Sequence, residues 1–182
     1  MVQYLCAYCY VYDNSTRWPD TTGQLCTAAL YAGIAPIVRT PSKDPHYVSR
    51  ILDGGALGVT VPHIRSILPH FRYRSRPAKV ANSVMNEGTL VIPMIETLEA
   101  LELVEEIAAV EGVDPLLIGT NDLTAEMGIS GDDDNPGLTE AYEKIIAACK
   151  KAGIWVGVGE LHSRLDVVQK FCEWLPLMGL FC

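Results

Sequence analysis

Five short apolar runs, each separated from the next by a stretch suited to helix, constrain this chain more than any other feature of its sequence. The runs are 36–40 (PIVRT), 57–62 (LGVTVP), 89–95 (TLVIPMI), 115–118 (PLLI) and 154–158 (IWVGV). They are apolar on both faces, which predicts strands buried on both sides: a parallel sheet covered by crossover helices. Pro93 inside the third run predicts a strand end or a bulge, because proline removes a ladder donor.

The helical segments carry their own start and stop signals. Residues 44–52 read as a helix opened by Ser42 or Asp44, with Pro45 at its first position. Thr97 caps a helix over 98–110, with Glu99 in the first turn and Leu98, Leu101, Val104 and Ile107 at helical spacing. A polar loop from Gly128 to Pro136 precedes a helix over 138–152. Leu138, Tyr142, Ile145 and Cys149 line one face of it, Lys150 and Lys151 sit in its last turn, and Gly153 stops it. Ser163 and Asp166 mark a start for a helix over 164–173. Residues 1–12 (MVQYLCAYCYVY) read as a buried strand or a disordered start. The first basic residue is Arg17, which argues against a secretory signal. No linker or fixed-period repeat divides the chain, so the expectation is one α/β domain.

Composition narrows the function classes. No apolar run approaches the roughly 18 residues of a transmembrane helix. The net charge of −8, from 14 basic and 22 acidic residues, disfavours nucleic acid or an anionic membrane as partner. Six cysteines in 182 residues are too sparse for a disulfide scaffold and predict reduced thiols in the cytoplasm. Cys6 and Cys9 form a C-x-x-C pair, but no second pair completes a zinc site and no helix follows for a redox motif. Asp132, Asp133 and Asp134 lack the spaced oxygens of a calcium loop.

In a parallel α/β fold, chemistry gathers where strands end. The residues there are Arg39, His63, Glu96, Asp122, Glu160 and His162. Two carboxylates on consecutive strand ends suit one hard divalent cation, with its other positions left for water and a chelating substrate. An arginine on the same rim suits a substrate carboxylate or a developing enolate. Each has a plainer reading: Glu96 as a charge favoured by a helix dipole, Asp122 as a cap or turn residue, Arg39 as half of a surface ion pair, and both histidines as solvated.

Taken in order, the stretches PIVRTPSKDP (36–45), ILDGGALGVTVPHIRS (51–66), VIPMIETLEALELVEEIAAVEGVDPLLIGTNDLTAEMG (91–128) and GVGELHSRLDVVQKF (157–171) resemble the HpcH/HpaI aldolase/citrate lyase family, near its class II pyruvate aldolases. The resemblance covers roughly residues 20–172, with a shortened region at 73–88. It implies a (β/α)₈ barrel binding Mg²⁺, Mn²⁺ or Co²⁺ at the carboxyl rim, which cleaves or forms 4-hydroxy-2-oxo acids to or from pyruvate, or a related 2-oxo acid, and an aldehyde. Glu96 and Asp122 match the metal ligands, and Arg39 matches the arginine that stabilises the enolate oxygen. Gly119, Thr120 and Asn121 match the amides near the substrate carboxylate. The family also implies a homo-oligomer, a trimer or hexamer.

The sequence departs from the family in several places. The proton-transfer histidine of an Asp-x-Glu-His motif is missing: Asp13 to Asp20 hold none, and no histidine precedes His46. Met94 stands where some members carry a glutamine. The match fades after Phe171. A barrel of this type takes about 250 residues and seldom fewer than 200. The expectation is therefore an incomplete barrel over 20–172, apparently truncated at both ends, with a divergent segment at 1–19 and a divergent tail at 173–182. Arg39, Glu96 and Asp122 together favour an enzyme. The missing histidine and last strand favour a non-catalytic subunit or remnant.

Overall fold

The structure is a computed structural model that describes residues 8–9, 18–65 and 88–159. Its elements run β1 (Tyr8–Cys9), α1 (Trp18–Tyr31), β2 (Ile37–Arg39), α2 (Pro45–Asp53), β3 (Gly58–Val61), β4 (Leu90–Ile95), α3 (Leu98–Glu102), α4 (Val104–Ala108), β5 (Pro115–Gly119), α5 (Thr120–Glu126), α6 (Pro136–Ala152) and β6 (Trp155–Gly159). The six strands pair in chain order, every pair parallel. This is the expected α/β arrangement, and the described strands do not close into a barrel. The five runs are all strands, and residues 8–9 within the apolar start supply a sixth. The expected helix over 164–173, with Glu160, His162, Cys172 and Cys182, lies outside the described residues.

Register explains why the strands read as apolar throughout. Val38 pairs with Val59, Val59 with Val91, and Leu116 with Val156. This face packs on helix residues such as Ile51, Val104, Ile107, Ile145 and Ile146 in one large core. On the opposite face, Arg39 is in register with Thr60, Thr60 with Ile92, and Met94 with Leu117. There Ile92, Met94 and Leu117 form a second, smaller cluster with Ile37 against it. Both faces are buried, so no polar alternation can appear.

Helix starts follow the caps. The Asp44 carboxylate accepts the His46 N–H at 2.9 Å, ahead of Pro45. Asn135 accepts the Gly137 N–H at 2.9 Å and Pro136 follows it, so the helix expected from 138 begins two residues earlier. Gly153, at φ 71°, closes that helix in the left-handed conformation.

Two expectations change, and one element was not expected. The helix expected over 98–110 is interrupted at Leu103 (φ −91°, ψ 10°) and becomes α3 and α4. Pro93 neither ends nor bulges its strand. It is the last β4 residue in register with β3, and pairing with β5 begins at Met94, so its missing N–H falls where one ladder hands over to the next. Finally, α1 had no counterpart in the sequence reading. Its buried contribution includes Thr22 and Cys26, while Leu25, Leu30 and Tyr31 are exposed, so it carries no clear apolar stripe.

Candidate active site

Arg39, His63, Glu96 and Gly119 stand at the carboxyl ends of β2, β3, β4 and β5. Glu96 is the centre of the group. It is 1% exposed, and its two oxygens have different surroundings. Oε1 accepts the main-chain N–H of His63 at 2.8 Å. The His63 ring Nδ1 lies 3.2 Å from the same oxygen and the Arg39 Nη2 3.6 Å from it. Oε2 is buried and accepts no hydrogen bond. It points at Gly119, where a Cβ would stand 2.9 Å from it. Glycine at 119 is therefore a requirement of close approach.

Burial pushes the Glu96 carboxyl above its ordinary value. The His63 N–H bond and the charge of Arg39 pull it partway back, and the charge of Asp122 adds to the rise. Asp122 is exposed in the first turn of α5, close enough for its charge to be felt at Glu96.

Neighbouring threonines hold these strand ends. Thr97 Oγ1 donates to the Ile64 carbonyl at 2.9 Å and accepts the Ala100 N–H at 3.1 Å, tying the segment after β3 to the start of α3. Thr120 Oγ1 donates to the Gly159 carbonyl at 3.1 Å and shares a 3.0 Å hydrogen bond with the buried Tyr142 hydroxyl. Thus α6 and the end of β6 fix the residue two before Asp122. Arg65 reaches Glu99 at 2.7 Å and Glu126 at 3.2 Å on the exposed side of the rim.

The expected residues are brought together in part. Arg39, expected either at the site or in a surface ion pair, lies 3.6 Å from the buried Glu96 carboxylate. Glu96 does precede a helix, but the cap is Thr97 and the Glu96 carboxylate turns toward the rim. His63 is 61% exposed at its side chain, yet its main chain reaches the centre of the group. That contact was missed, because a side-chain pattern says nothing about where a main-chain N–H will point. Tyr142 belongs to the apolar face of α6, and its hydroxyl contact with Thr120 is one that an apolar pattern does not show.

The donor set fits a hard divalent cation. An orphaned buried carboxylate oxygen beside a glycine, with a second carboxylate nearby, is what such an ion needs from a protein that leaves positions open. Among the described residues no cluster of three or more His, Cys, Asp and Glu side chains is arranged to hold a metal, so water and substrate would complete the coordination. A groove of about 960 Å³ lined by Gln24, Thr27, Tyr31, Arg50 and Asp53 contains none of these groups.

The sequence pattern of the HpcH/HpaI aldolase/citrate lyase family matches residues 21–178. The chain is 31% identical to the 4-hydroxy-4-methyl-2-oxoglutarate aldolase tasA of Hapsidospora irregularis, over 89% of this chain and 68% of that one. It is 34% identical to a hydroxypyruvate/pyruvate aldolase of Paraburkholderia phytofirmans, over 76% of this chain and 64% of that one. Among solved structures it resembles the citrate synthase SbnG, with a TM-score of 0.77 and 26% identity over 91% of this chain and 72% of that one.

Proposed function

Because the chain belongs to the HpcH/HpaI aldolase/citrate lyase family, we propose that it is a metal-dependent carbon–carbon lyase acting on 4-hydroxy-2-oxo acids, with pyruvate or a related 2-oxo acid and an aldehyde as the other side of the reaction. The observation that carries this reading is the unpartnered, buried Oε2 of Glu96, with Arg39 on the other oxygen.

Glu96 and Asp122 would hold the cation. When bound, a divalent ion supplies Lewis acidity toward a 2-oxo carbonyl. The main-chain amides of Gly119, Thr120 and Asn121, at the turn from β5 into α5, are assigned to the substrate carboxylate. Arg39, only 11% exposed at its side chain, is assigned to the enolate oxygen, where a fixed positive group is worth most when water is excluded. In the cleavage direction the C4 hydroxyl loses its proton, the C3–C4 bond breaks, and its electron pair moves onto the enolate as the aldehyde leaves. No described residue is assigned as the base that takes the hydroxyl proton.

Oxaloacetate decarboxylation with Mg²⁺, Mn²⁺ or Co²⁺ tests the site without needing that base, since loss of CO₂ generates the enolate directly. The expected result is a rate above the metal alone that Glu96→Gln abolishes. A folded protein giving only the metal background would overturn the lyase reading.

A further inference from the structure

Among the described residues, His63 is the one residue other than glycine with a positive φ, at 53°. A side-chain-bearing residue adopts that left-handed conformation at an energetic cost, and histidine tolerates it better than most. Strain of this kind persists where the surroundings over-determine it, and it gathers at functional sites. Here two contacts hold it. The His63 N–H donates to Glu96 Oε1 at 2.8 Å, and the next residue's carbonyl, Ile64 O, accepts Thr97 Oγ1 at 2.9 Å. The turn after β3 is thus fastened twice to the end of β4.

We propose that this turn is a positioning device: the His63 main-chain N–H occupies Oε1 of Glu96 and so reserves Oε2 for a cation. The proposal rests on the cation reading given above and adds to it a residue outside the ligand set. A carboxylate free to rotate beside Arg39 could offer both oxygens to the guanidinium and close the site. With Oε1 taken by a donor that belongs to the backbone, Glu96 presents one oxygen, beside Gly119. The main chain, not the ring, is the active part. Both reach Oε1, but the main-chain hydrogen bond is the shorter, at 2.8 Å against 3.2 Å, and the ring is 61% exposed, so its contact is weakened by solvent.

The experiment measures Mn²⁺ binding by calorimetry for the wild type, His63→Gly, His63→Asn and His63→Val, with the melting temperature of each. Glycine and asparagine accept the left-handed conformation, and a β-branched valine does not. The expected result is affinity within about threefold of wild type for the first two. For His63→Val a loss of about tenfold or more is expected, typical of groups that orient a ligand. Equal losses for His63→Gly and His63→Val would move the role to the ring and overturn the proposal, as would full affinity in His63→Val.

A second readout needs no metal and no altered His63. The His63 amide should exchange slowly with solvent in the wild type and faster in Glu96→Ala, which removes its acceptor. Fast exchange in the wild type overturns the proposal. A wild type that binds no Mn²⁺ while this amide is protected overturns the cation reading instead, and removes the purpose assigned to the turn.

Discussion

A carboxylate ligates a cation only when it is ionised, and Glu96 is held where ionisation is opposed by burial. Its folded-state value lies above its unfolded one, so between the two the native state binds more protons. Stability then falls as pH rises through that window. Metal-free Glu96→Gln should therefore be more stable than the wild type near neutral pH, with the difference closing as pH falls toward the ordinary glutamate value of 4.5. Urea unfolding at a series of pH values checks this, and a difference that grows toward acid would contradict it. Gly119→Ala tests the same atom sterically. Its methyl would stand 2.9 Å from Oε2 and 3.1 Å from the Glu96 Cβ. A loss of about 1–3 kcal/mol from overpacking is expected, together with weaker Mn²⁺ binding. Arg39 and Glu96 were legible because strand ends can be read from apolar runs, whereas Gly119 came only with the family resemblance. The contact from His63 was not legible, since it is made by a main-chain group in a conformation no side-chain pattern encodes.

Elements were legible where a cap or a stripe announced them. Asp44 and Thr97 announced their helices as caps, whereas α6 was announced by its apolar face and its cap, Asn135, was not expected; the two caps that precede proline begin the helix at that proline. The weak element was α1, whose Gly23 lies against Gly54 of the α2 cap and whose large apolar residues Leu25 and Leu30 are exposed. Its place is set by packing on α2, which local sequence cannot show. Thr97 shows how far a cap can reach. It completes α3 and also binds the Ile64 carbonyl, so Thr97→Val should cost about 1–3 kcal/mol, more than a simple cap loss. It should also speed exchange of the His63 amide, which an isolated cap would leave unchanged. Tyr142→Phe, by contrast, leaves Thr120 its bond to the Gly159 carbonyl and should cost only about 1 kcal/mol. Thermal unfolding of the two variants side by side would reveal the difference.

The whole molecule divides its labour between the two faces of one sheet. The face toward the helices holds the large apolar core, while the other carries a small apolar cluster and, at its carboxyl end, Arg39 and Glu96. The face that carries stability is therefore not the one that carries the site. A group on the second face can be poorly satisfied in the free protein, as the Oε2 of Glu96 is, without unfolding it. The net charge of −8 works in the same direction, since the chain as a whole attracts cations. A ligand that binds only the native state then returns stability by mass action, about 2.7 kcal/mol at a hundred times its dissociation constant. For a chain of this size that corresponds to a rise in Tm of roughly 5–10 °C. The expectation is such a rise with MnCl₂ or MgCl₂, absent in Glu96→Gln and absent with NaCl at matched ionic strength. General screening of an acidic protein would stabilise both proteins alike with any of these salts. An equal shift in wild type and variant would assign the effect to screening and remove the thermodynamic case for a cation at Glu96.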